Sequence, residues 1–150
     1  MSSPLTTTKA LPKGKNPELQ RVQKVDKETQ KVSVLIVEDD DDTRKAVEIY
    51  LSANAFQVIC ASTSEQAMAV LPVLNPDVVL LDLGLPGMDG LELLRRMQMK
   101  GTTKKTRFIV TSAWDEWLYE EHALCCGAVR YLEKPVSGDA IVAAIHEAMN

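Results

Sequence analysis

Four apolar residues in a row, 78–81, stand immediately before an aspartate, Asp82. Pro76 precedes the run, and a turn-rich stretch with three glycines and a proline, 84–90, follows it. A short apolar run bounded by turn signals predicts a β-strand buried on both faces. A carboxylate where that strand leaves the core needs a chemical reason, because ionised groups are rarely buried unless they are paired. Asp82 is therefore the first candidate for a reactive group.

The length and composition predict one folded domain with a charged tail. The chain has 150 residues, of which 45% are hydrophobic, and this is enough for a core. Residues 1–31 contain seven Lys and Arg against three Asp and Glu, a net charge of +4. Residues 32–150 contain 10 basic and 18 acidic residues, a net charge of −8. An acidic domain has little electrostatic affinity for nucleic acid, so direct nucleic-acid binding is not expected.

Residues 1–31 are rich in Ser, Thr, Pro, Lys and Gln and predict a flexible basic tail. Leu19, Val22 and Val25 fall near helical spacing, which leaves open a short helix over 17–31 that docks on a partner. Disorder is the favoured interpretation, because an isolated helix of about 15 residues is marginal in water.

The cysteines and the hydropathy pattern favour a cytoplasmic protein. Cys60, Cys125 and Cys126 have no CxxC spacing, and they are most simply explained as reduced core thiols. No apolar run approaches the roughly 18 residues of a membrane span. The first 15 residues also lack the apolar segment of a secretory signal.

From residue 32 onward, strand and helix patterns alternate. The helix pattern after the first strand includes Val47, Ile49 and Leu51, and Ser62 and Glu65 have capping-box spacing at the start of the second helix. Ser137 is expected to cap the last helix, and Gly127 to end the fourth. The predicted strands are 34–37, 56–60, 78–82, 108–111 and 129–133, and the predicted helices are 43–54, from about 64, from 89 or 90 to about 101, 115–126 and 137–149.

Five strands alternating with five helices predict an α/β fold, a doubly wound parallel sheet with helices on both faces. In such sheets the functional site lies beyond the carboxyl ends of the strands, where the strand order reverses. The second strand ends only in Ala61 and Ser62, which suits a strand at the edge of the sheet.

Chemically active residues follow the other four strands. Glu38 and Asp39 come after the first strand, Asp82 ends the third, Thr111 ends the fourth, and Lys134 follows the fifth. Clustered carboxylates repel one another unless a cation is present, and Mg²⁺ prefers such oxygen ligands. The acidic residues 40–42 are better explained as a solvated helix N-terminus, where negative charge is favoured. A Thr at a strand end or a Lys-Pro turn is usually structural, but their joint occurrence at the ends of four strands indicates one site.

The sequence resembles the receiver domain of a two-component response regulator over about residues 32–149. The matching motifs are VLIVED at 34–39, LDLGLPGMDG at 81–90, VTS at 110–112 and YLEKP at 131–135. The resemblance implies a flavodoxin-like strand order, 2-1-3-4-5, and a domain that fills residues 32–150. It also implies a cis peptide bond before Pro135.

The resemblance further implies a role for each site residue. Asp82 would accept the phosphoryl group, Lys134 would assist, Thr111 would be the switch hydroxyl and Tyr131 the aromatic rotamer switch. Mg²⁺ would be held by Glu38, Asp39, Asp82 and the backbone carbonyl of Gly84. The sequence departs from the family where Glu38 replaces the commoner Asp, and where Gly84 and Ala113 occupy positions that tune the phosphoryl lifetime.

The function implied is phosphorelay signalling, with a sensor histidine kinase or a histidine phosphotransfer protein as donor. His122 and His146 lie in helical patterns and are not expected to be the donor. Such a domain accepts and slowly hydrolyses its own phosphoryl group and is not a turnover enzyme. Its downstream protein target would bind a face made of the fourth helix, fifth strand and fifth helix, near which lie Trp114, Trp117 and Tyr119.

Two other functions stay open. A receiver-like module could signal without phosphorylation, although the joint presence of Asp39, Asp82, Thr111 and Lys134 argues against this. A Mg²⁺-dependent phosphatase with an Asp nucleophile would need a second acid two residues after Asp82, where this chain has Gly84. Whether the domain acts alone or belongs to a larger regulator or hybrid kinase is also open.

Overall fold

The computed structural model describes residues 30–99, 105–113 and 117–150. Within these ranges, five strands alternate with five helices, as the periodicity predicts. The strands are β1 (Ser33–Val37), β2 (Gln57–Ala61), β3 (Val78–Asp82), β4 (Arg107–Ser112) and β5 (Arg130–Glu133). The helices are α1 (Asp41–Ala53), α2 (Ser64–Leu74), α3 (Gly90–Met99), α4 (Trp117–Cys125) and α5 (Gly138–Met149).

The strands form one parallel sheet in the order β2-β1-β3-β4-β5. This order confirms the prediction, including the edge position of β2. The strand order reverses between β1 and β3, which are hydrogen-bonded neighbours at the centre of the sheet. The carboxyl ends of β1, β3, β4 and β5 therefore come together at one edge, where the sequence places its acidic and basic residues.

Each face of the sheet has its own apolar core because side chains alternate along a strand. All five residues of β3 are buried, as expected for a central parallel strand. Val79 and Leu81 pack with α2, α3 and α4 on one face, whereas Val78 and Leu80 pack with α1 and α5 on the other.

Several helix and strand ends differ from the predictions by one or two residues. Helix α2 is capped by Thr63, whose side chain accepts from the backbone N–H of Gln66. The predicted Ser62 and Glu65 capping pair was therefore wrong, although Gln66 Oε1 does accept from the Ser62 N–H and hydroxyl. Gly127 follows α4 with a φ of 100°, which agrees with its predicted role at the helix end.

Ile49 and Cys125 lie on the surface. Ile49 belongs to the helical pattern of α1 but is 62% exposed, and Leu51 is the one residue of that helix that is fully buried. Cys125 is exposed at the end of α4, while Cys60 and Cys126 are half-buried. The prediction of three core thiols was thus wrong for Cys125; the cysteines are free thiols, as predicted.

The predicted basic tail, 1–31, lies outside the described residues except for its last two positions. Among the residues that are described, no helix is both long enough and apolar enough to cross a membrane.

Candidate functional site

Backbone hydrogen bonds continue the sheet one residue beyond the strand ends and position the site residues. The Glu38 N–H donates to the Ala61 carbonyl at 3.1 Å, and the Lys134 N–H donates to the Ser112 carbonyl at 2.7 Å. Asp82 itself is paired with Thr111 in the register of β3 and β4. The local backbone thus holds these side chains at one edge, although they come from separate parts of the sequence.

Three carboxylates and one ammonium group meet at this edge. Glu38, Asp39 and Asp82 each offer an oxygen, and these oxygens lie within 4.8 Å of one another. The Lys134 Nζ lies 3.1 Å from Glu38 Oε1 and 3.2 Å from Asp82 Oδ2. Glu38 and Asp82 are buried, while Asp39 is exposed. The structure therefore brings together four of the residues that the sequence predicts for this site.

Asp82 has a second fixed contact on its other oxygen. The Gly84 N–H donates to Asp82 Oδ1 at 2.9 Å. A Cβ at position 84 would lie 3.4 Å from the same oxygen, so the glycine leaves open the space next to the carboxylate. The Gly84 N–H was not among the predicted site groups; the Gly84 carbonyl, which was predicted to bind metal, stays a prediction.

The ionisation of the two buried acids is unequal. Burial, the neighbouring Asp82 carboxylate and a hydrogen bond with it raise the pKa of Glu38 to about 8. Burial also opposes ionisation of Asp82, but hydrogen bonds from Glu38 and the Gly84 N–H, together with the Lys134 charge, lower its pKa below the usual value. Burial would lower the pKa of Lys134, yet the charges of Asp82 and Glu38 outweigh it and raise that pKa. Asp82 is therefore the anionic member of the pair, with Lys134 as its counter-charge.

The donor set fits a small hard cation. Carboxylate oxygens are the ligands that Mg²⁺ prefers, and Mg²⁺ sites in proteins commonly use only a few carboxylates and leave other positions to water. With all three carboxylates ionised, the cluster carries more negative charge than the single ammonium group of Lys134 can balance. A divalent cation would supply the missing positive charge, so these residues suit the Mg²⁺ that the sequence predicts.

Thr111 and Tyr131 lie on opposite faces of the sheet. Thr111 is buried at the end of β4, beside Asp82 in the strand register. Tyr131 is paired with Val110 and packs against the core formed with α2, α3 and α4. The structure thus places Thr111 at the site and Tyr131 one residue back, on the other face and outside the acidic cluster.

Residues 40–42 have the structural role that the sequence predicts for them. Asp40 caps α1 by accepting from the backbone N–H and the hydroxyl of Thr43. Asp41 and Asp42 are exposed in the first turn of the helix. The hydrogen bonds from Thr43 lower the pKa of Asp40.

Arg44, which was not among the predicted site residues, contacts the site from α1. Its Nη1 donates to the Glu38 carbonyl at 2.9 Å and lies 3.5 Å from the Asp39 carbonyl, and its Nη2 pairs with Asp41. The spacing of Asp41 and Arg44, three residues apart in the first turn, was the available sequence signal.

A cavity of about 450 Å³ adjoins the acidic cluster between α1, α5 and the sheet. Its apolar wall is made of side chains from the core shared by α1 and α5, and Thr111 and Lys134 line it at the end near the site. The peptide bond between Lys134 and Pro135 is cis, as predicted.

The remaining predicted residues lie away from the acidic cluster. Trp117 is 69% exposed at the start of α4, and Tyr119 packs against the core on that side of the sheet. Trp114 lies outside the described residues. His122 is exposed on α4, and His146 is exposed on α5, where its ring lies 5.6 Å from that of Phe56.

Comparison with known proteins agrees with this geometry. The family model described as "Response regulator receiver domain" matches residues 34–146. Regulatory protein AtoC of Escherichia coli is 32% identical over 116 residues, which make up 77% of this chain and 25% of AtoC. A cyclic di-GMP phosphodiesterase of Thermotoga maritima is 39% identical over 71% of this chain and 28% of its own length. The chain thus spans about a quarter of each of these two relatives.

A solved structure described as a response regulator signal receiver domain, from Bermanella marisrubri, has the same fold. It aligns with a TM-score of 0.74 and 31% identity, covering 81% of this chain and all of that one. Because the family match spans most of the chain and the sheet order and acidic edge agree with it, the protein belongs to the response regulator receiver domain family.

Proposed function

We propose that the chain is a phosphorelay component that accepts a phosphoryl group on Asp82 in a Mg²⁺-dependent reaction. The observation that carries this proposal is the fixation of both oxygens of Asp82, Oδ1 by the Gly84 N–H and Oδ2 by Lys134. A carboxylate held in this way keeps its charge and its orientation at the mouth of the site. Receiver domains serve phosphorelay signalling in general, and the residues here supply the chemistry for it.

The proposed donor is a phosphohistidine on a sensor histidine kinase or a histidine phosphotransfer protein. A carboxylate oxygen of Asp82 attacks the phosphorus, the P–N bond breaks, and its electron pair returns to the imidazole of the partner. The product is an acyl phosphate on Asp82. The demands of such a transfer are mainly positioning and charge neutralisation.

Lys134 has two tasks in this reaction. Before transfer, its ammonium group pairs with Asp82 Oδ2 and Glu38 Oε1. As the new bond forms, Asp82 loses its carboxylate charge and the phosphoryl oxygens carry the negative charge, so the ammonium group can move its hydrogen bond to one of them.

Glu38, Asp39, Asp82 and the Gly84 carbonyl are the proposed Mg²⁺ ligands. When bound, the ion would neutralise charge on the phosphoryl oxygens and on the clustered acids. Glu38 must lose its proton to act as a ligand, which its position beside Lys134 makes possible.

The proposed output is a change of protein contacts. The phosphoryl group adds about −1.5 to −2 charge at neutral pH, and Thr111, paired with Asp82 in the strand register, is the proposed hydroxyl that moves toward one of its oxygens. Tyr131, one residue back in the register of β4 and β5, is the proposed second part of the switch. The proposed target-binding face consists of α4, β5 and α5, where Trp117 offers an exposed aromatic side chain.

We place the protein in the cytoplasm, with residues 1–31 as a basic tail and 32–150 as the receiver domain. The chain is proposed to act as a switch and not as an enzyme on external substrates. The stretch that this chain shares with the phosphodiesterase named among the relatives is 28% of that protein's length.

Intact mass after incubation with acetyl phosphate and Mg²⁺ tests the proposal. The wild type should gain one phosphate-sized increment, and Asp82→Asn should gain none. Asp42→Asn is the matched control, because Asp42 is an exposed acid of α1 away from the cluster, and it should gain the same increment as the wild type.

The result must also depend on the metal. Chelation with EDTA should abolish the increment in both the wild type and Asp42→Asn. If the wild type shows no increment with Mg²⁺ present, phosphoryl transfer to Asp82 is ruled out, and signalling without phosphorylation becomes the better explanation.

A further inference from the structure

Arg44 ties the first turn of α1 to the loop that carries two of the site acids. Its side chain is only 20% exposed, although arginine is mostly an exposed residue in proteins. One nitrogen, Nη1, donates to the backbone carbonyl of Glu38 at 2.9 Å and lies 3.5 Å from that of Asp39. These carbonyls belong to the residues whose side chains enter the acidic cluster.

The guanidinium group is also held by an acid of its own helix. Its Nη2 forms an ion pair with Asp41, one turn earlier in α1, and Asp40 caps the same helix by binding Thr43. The planar guanidinium of arginine presents several N–H donors in a rigid arrangement, which a lysine ammonium group cannot reproduce. The backbone at Glu38 and Asp39 is thus anchored to a capped helix end.

We propose that Arg44 is a positioning residue that sets the orientation of Glu38 and Asp39 for Mg²⁺ binding. The inference rests on the proposed function and adds to it a role for α1. It also explains why Asp41, which belongs to the acidic run but not to the cluster, pairs with Arg44. Arg44 acts through the backbone of the two acids and does not contact the reacting atoms.

If Arg44 acted only through its charge, its removal would have the opposite effect on Mg²⁺ binding. Arg44 is a cation close to Glu38, so its removal would strengthen the attraction of the acidic cluster for Mg²⁺ if the guanidinium acted only through its charge. If Arg44 positions the ligands, its removal weakens Mg²⁺ binding instead. The direction of the change in dissociation constant therefore separates the two effects.

Isothermal titration of Mg²⁺ into the full chain measures this change. We expect Arg44→Met to raise the dissociation constant about 10- to 100-fold, as is typical when residues that orient metal ligands are removed. Arg44→Lys should recover part of the loss, because one ammonium group can bind one carbonyl. Asp41→Asn should weaken binding less than Arg44→Met.

Arg130→Met is the matched control. Arg130 also pairs with a single carboxylate, Glu147, but it lies on β5 away from the acidic cluster. This variant removes a cation and an ion pair of the same kind, and its Mg²⁺ dissociation constant should equal that of the wild type. Thermal unfolding of each variant without Mg²⁺ separates a loss of metal ligands from a loss of fold.

An unchanged or lower dissociation constant in folded Arg44→Met overturns the inference, and so does a wild type that does not bind Mg²⁺. If Arg44→Met fails to fold, Arg44→Lys and Asp41→Asn test the inference instead. Mg²⁺ affinities equal to that of the wild type in both of these variants overturn the inference. Phosphoryl transfer from acetyl phosphate is measured separately, by intact mass. Weakened Mg²⁺ binding in Arg44→Met, with no phosphoryl transfer in the wild type, would support the role of Arg44 while overturning the proposed function.

Discussion

Lys134 contacts both carboxylate oxygens of Glu38, at 3.1 Å for Oε1 and 3.4 Å for Oε2, although the two residues are 96 positions apart in the sequence. The same ammonium group lies 3.2 Å from Asp82 Oδ2. One cation thus bridges a buried glutamate and a buried aspartate at the carboxyl edge of the sheet. Its removal should have opposite effects on metal binding and on phosphoryl transfer.

Lys134→Met should lower the rate of phosphorylation by acetyl phosphate by about 100-fold or more, because the phosphoryl oxygens lose a fixed positive group. The same variant should bind Mg²⁺ more tightly, since a competing cation has left the acidic cluster. Time-resolved intact mass and calorimetric titration measure the two effects. Lys45→Met, which removes an exposed lysine of α1, should match the wild type in both measurements.

Mg²⁺ binding should depend on pH through Glu38. Its pKa of about 8 means that the metal-free site holds a proton at neutral pH, which Mg²⁺ must displace. The apparent affinity should therefore rise about tenfold per pH unit as the pH approaches 8 from below, and then level off. Titrations from pH 6 to 9 test this, and Glu38→Gln should flatten the dependence. Equal affinity at pH 6 and pH 8 in the wild type would contradict the assignment.

The raised pKa of Glu38 also makes the stability of the metal-free protein depend on pH. The folded-state pKa of Glu38 is raised above its ordinary value of 4.5, so the folded state binds the proton more tightly than the unfolded state. The stabilisation from this proton is fully present below about pH 4.5 and is lost as the pH rises through about 8. The free energy of unfolding, measured in urea at pH 6 and at pH 8.5, should change less between the two pH values for Glu38→Gln than for the wild type.

Asp77→Ala should destabilise the fold without affecting the functional edge. Asp77 Oδ2 accepts from the Ser33 N–H at 2.8 Å and from its hydroxyl at 3.1 Å, and the Ser33 hydroxyl accepts from the Asp77 N–H. These bonds join the starts of β1 and β3, at the opposite edge from Asp82. We expect a loss of about 1–3 kcal/mol in the free energy of unfolding, because polar groups lose their partners. Urea denaturation measures this loss, and a Mg²⁺ dissociation constant that differs from wild type would contradict a purely structural role.

The cysteines should differ in their rates of alkylation. Burial, together with the charge of Glu48 and a hydrogen bond with it, raises the pKa of Cys60 to about 11, whereas Cys125 is exposed at the end of α4. At pH 8, iodoacetamide should therefore label Cys125 well before Cys60, because only the thiolate reacts. Peptide mass mapping at several times gives the order. Labelling of Cys60 should speed up as the pH rises toward 11, and equal rates at pH 8 would contradict this explanation.

Much of the fold could be predicted because local patterns and tertiary packing agree. The buried run ending at Asp82, the turn residues after it and the alternation of strands with helices are all properties of short segments. Helix ends were less predictable, since Thr63 and Ser62 are both plausible caps and only the backbone path decides between them. Ile49 belongs to the helical pattern of α1 and is nevertheless exposed, because such a pattern does not say how much of a helix face the neighbouring elements cover.

By itself, the sequence determined the strand and helix order, the parallel sheet and the residues that end each strand. These follow from periodicity and from the fact that parallel strands share one carboxyl edge. Only the tertiary structure decided that Glu38 would share a proton-binding site with Asp82, that Lys134 would bridge them, and that Arg44 would anchor the loop from α1. Distances, burial and the balance of charge arise when segments distant in the chain pack together, and no local pattern encodes them.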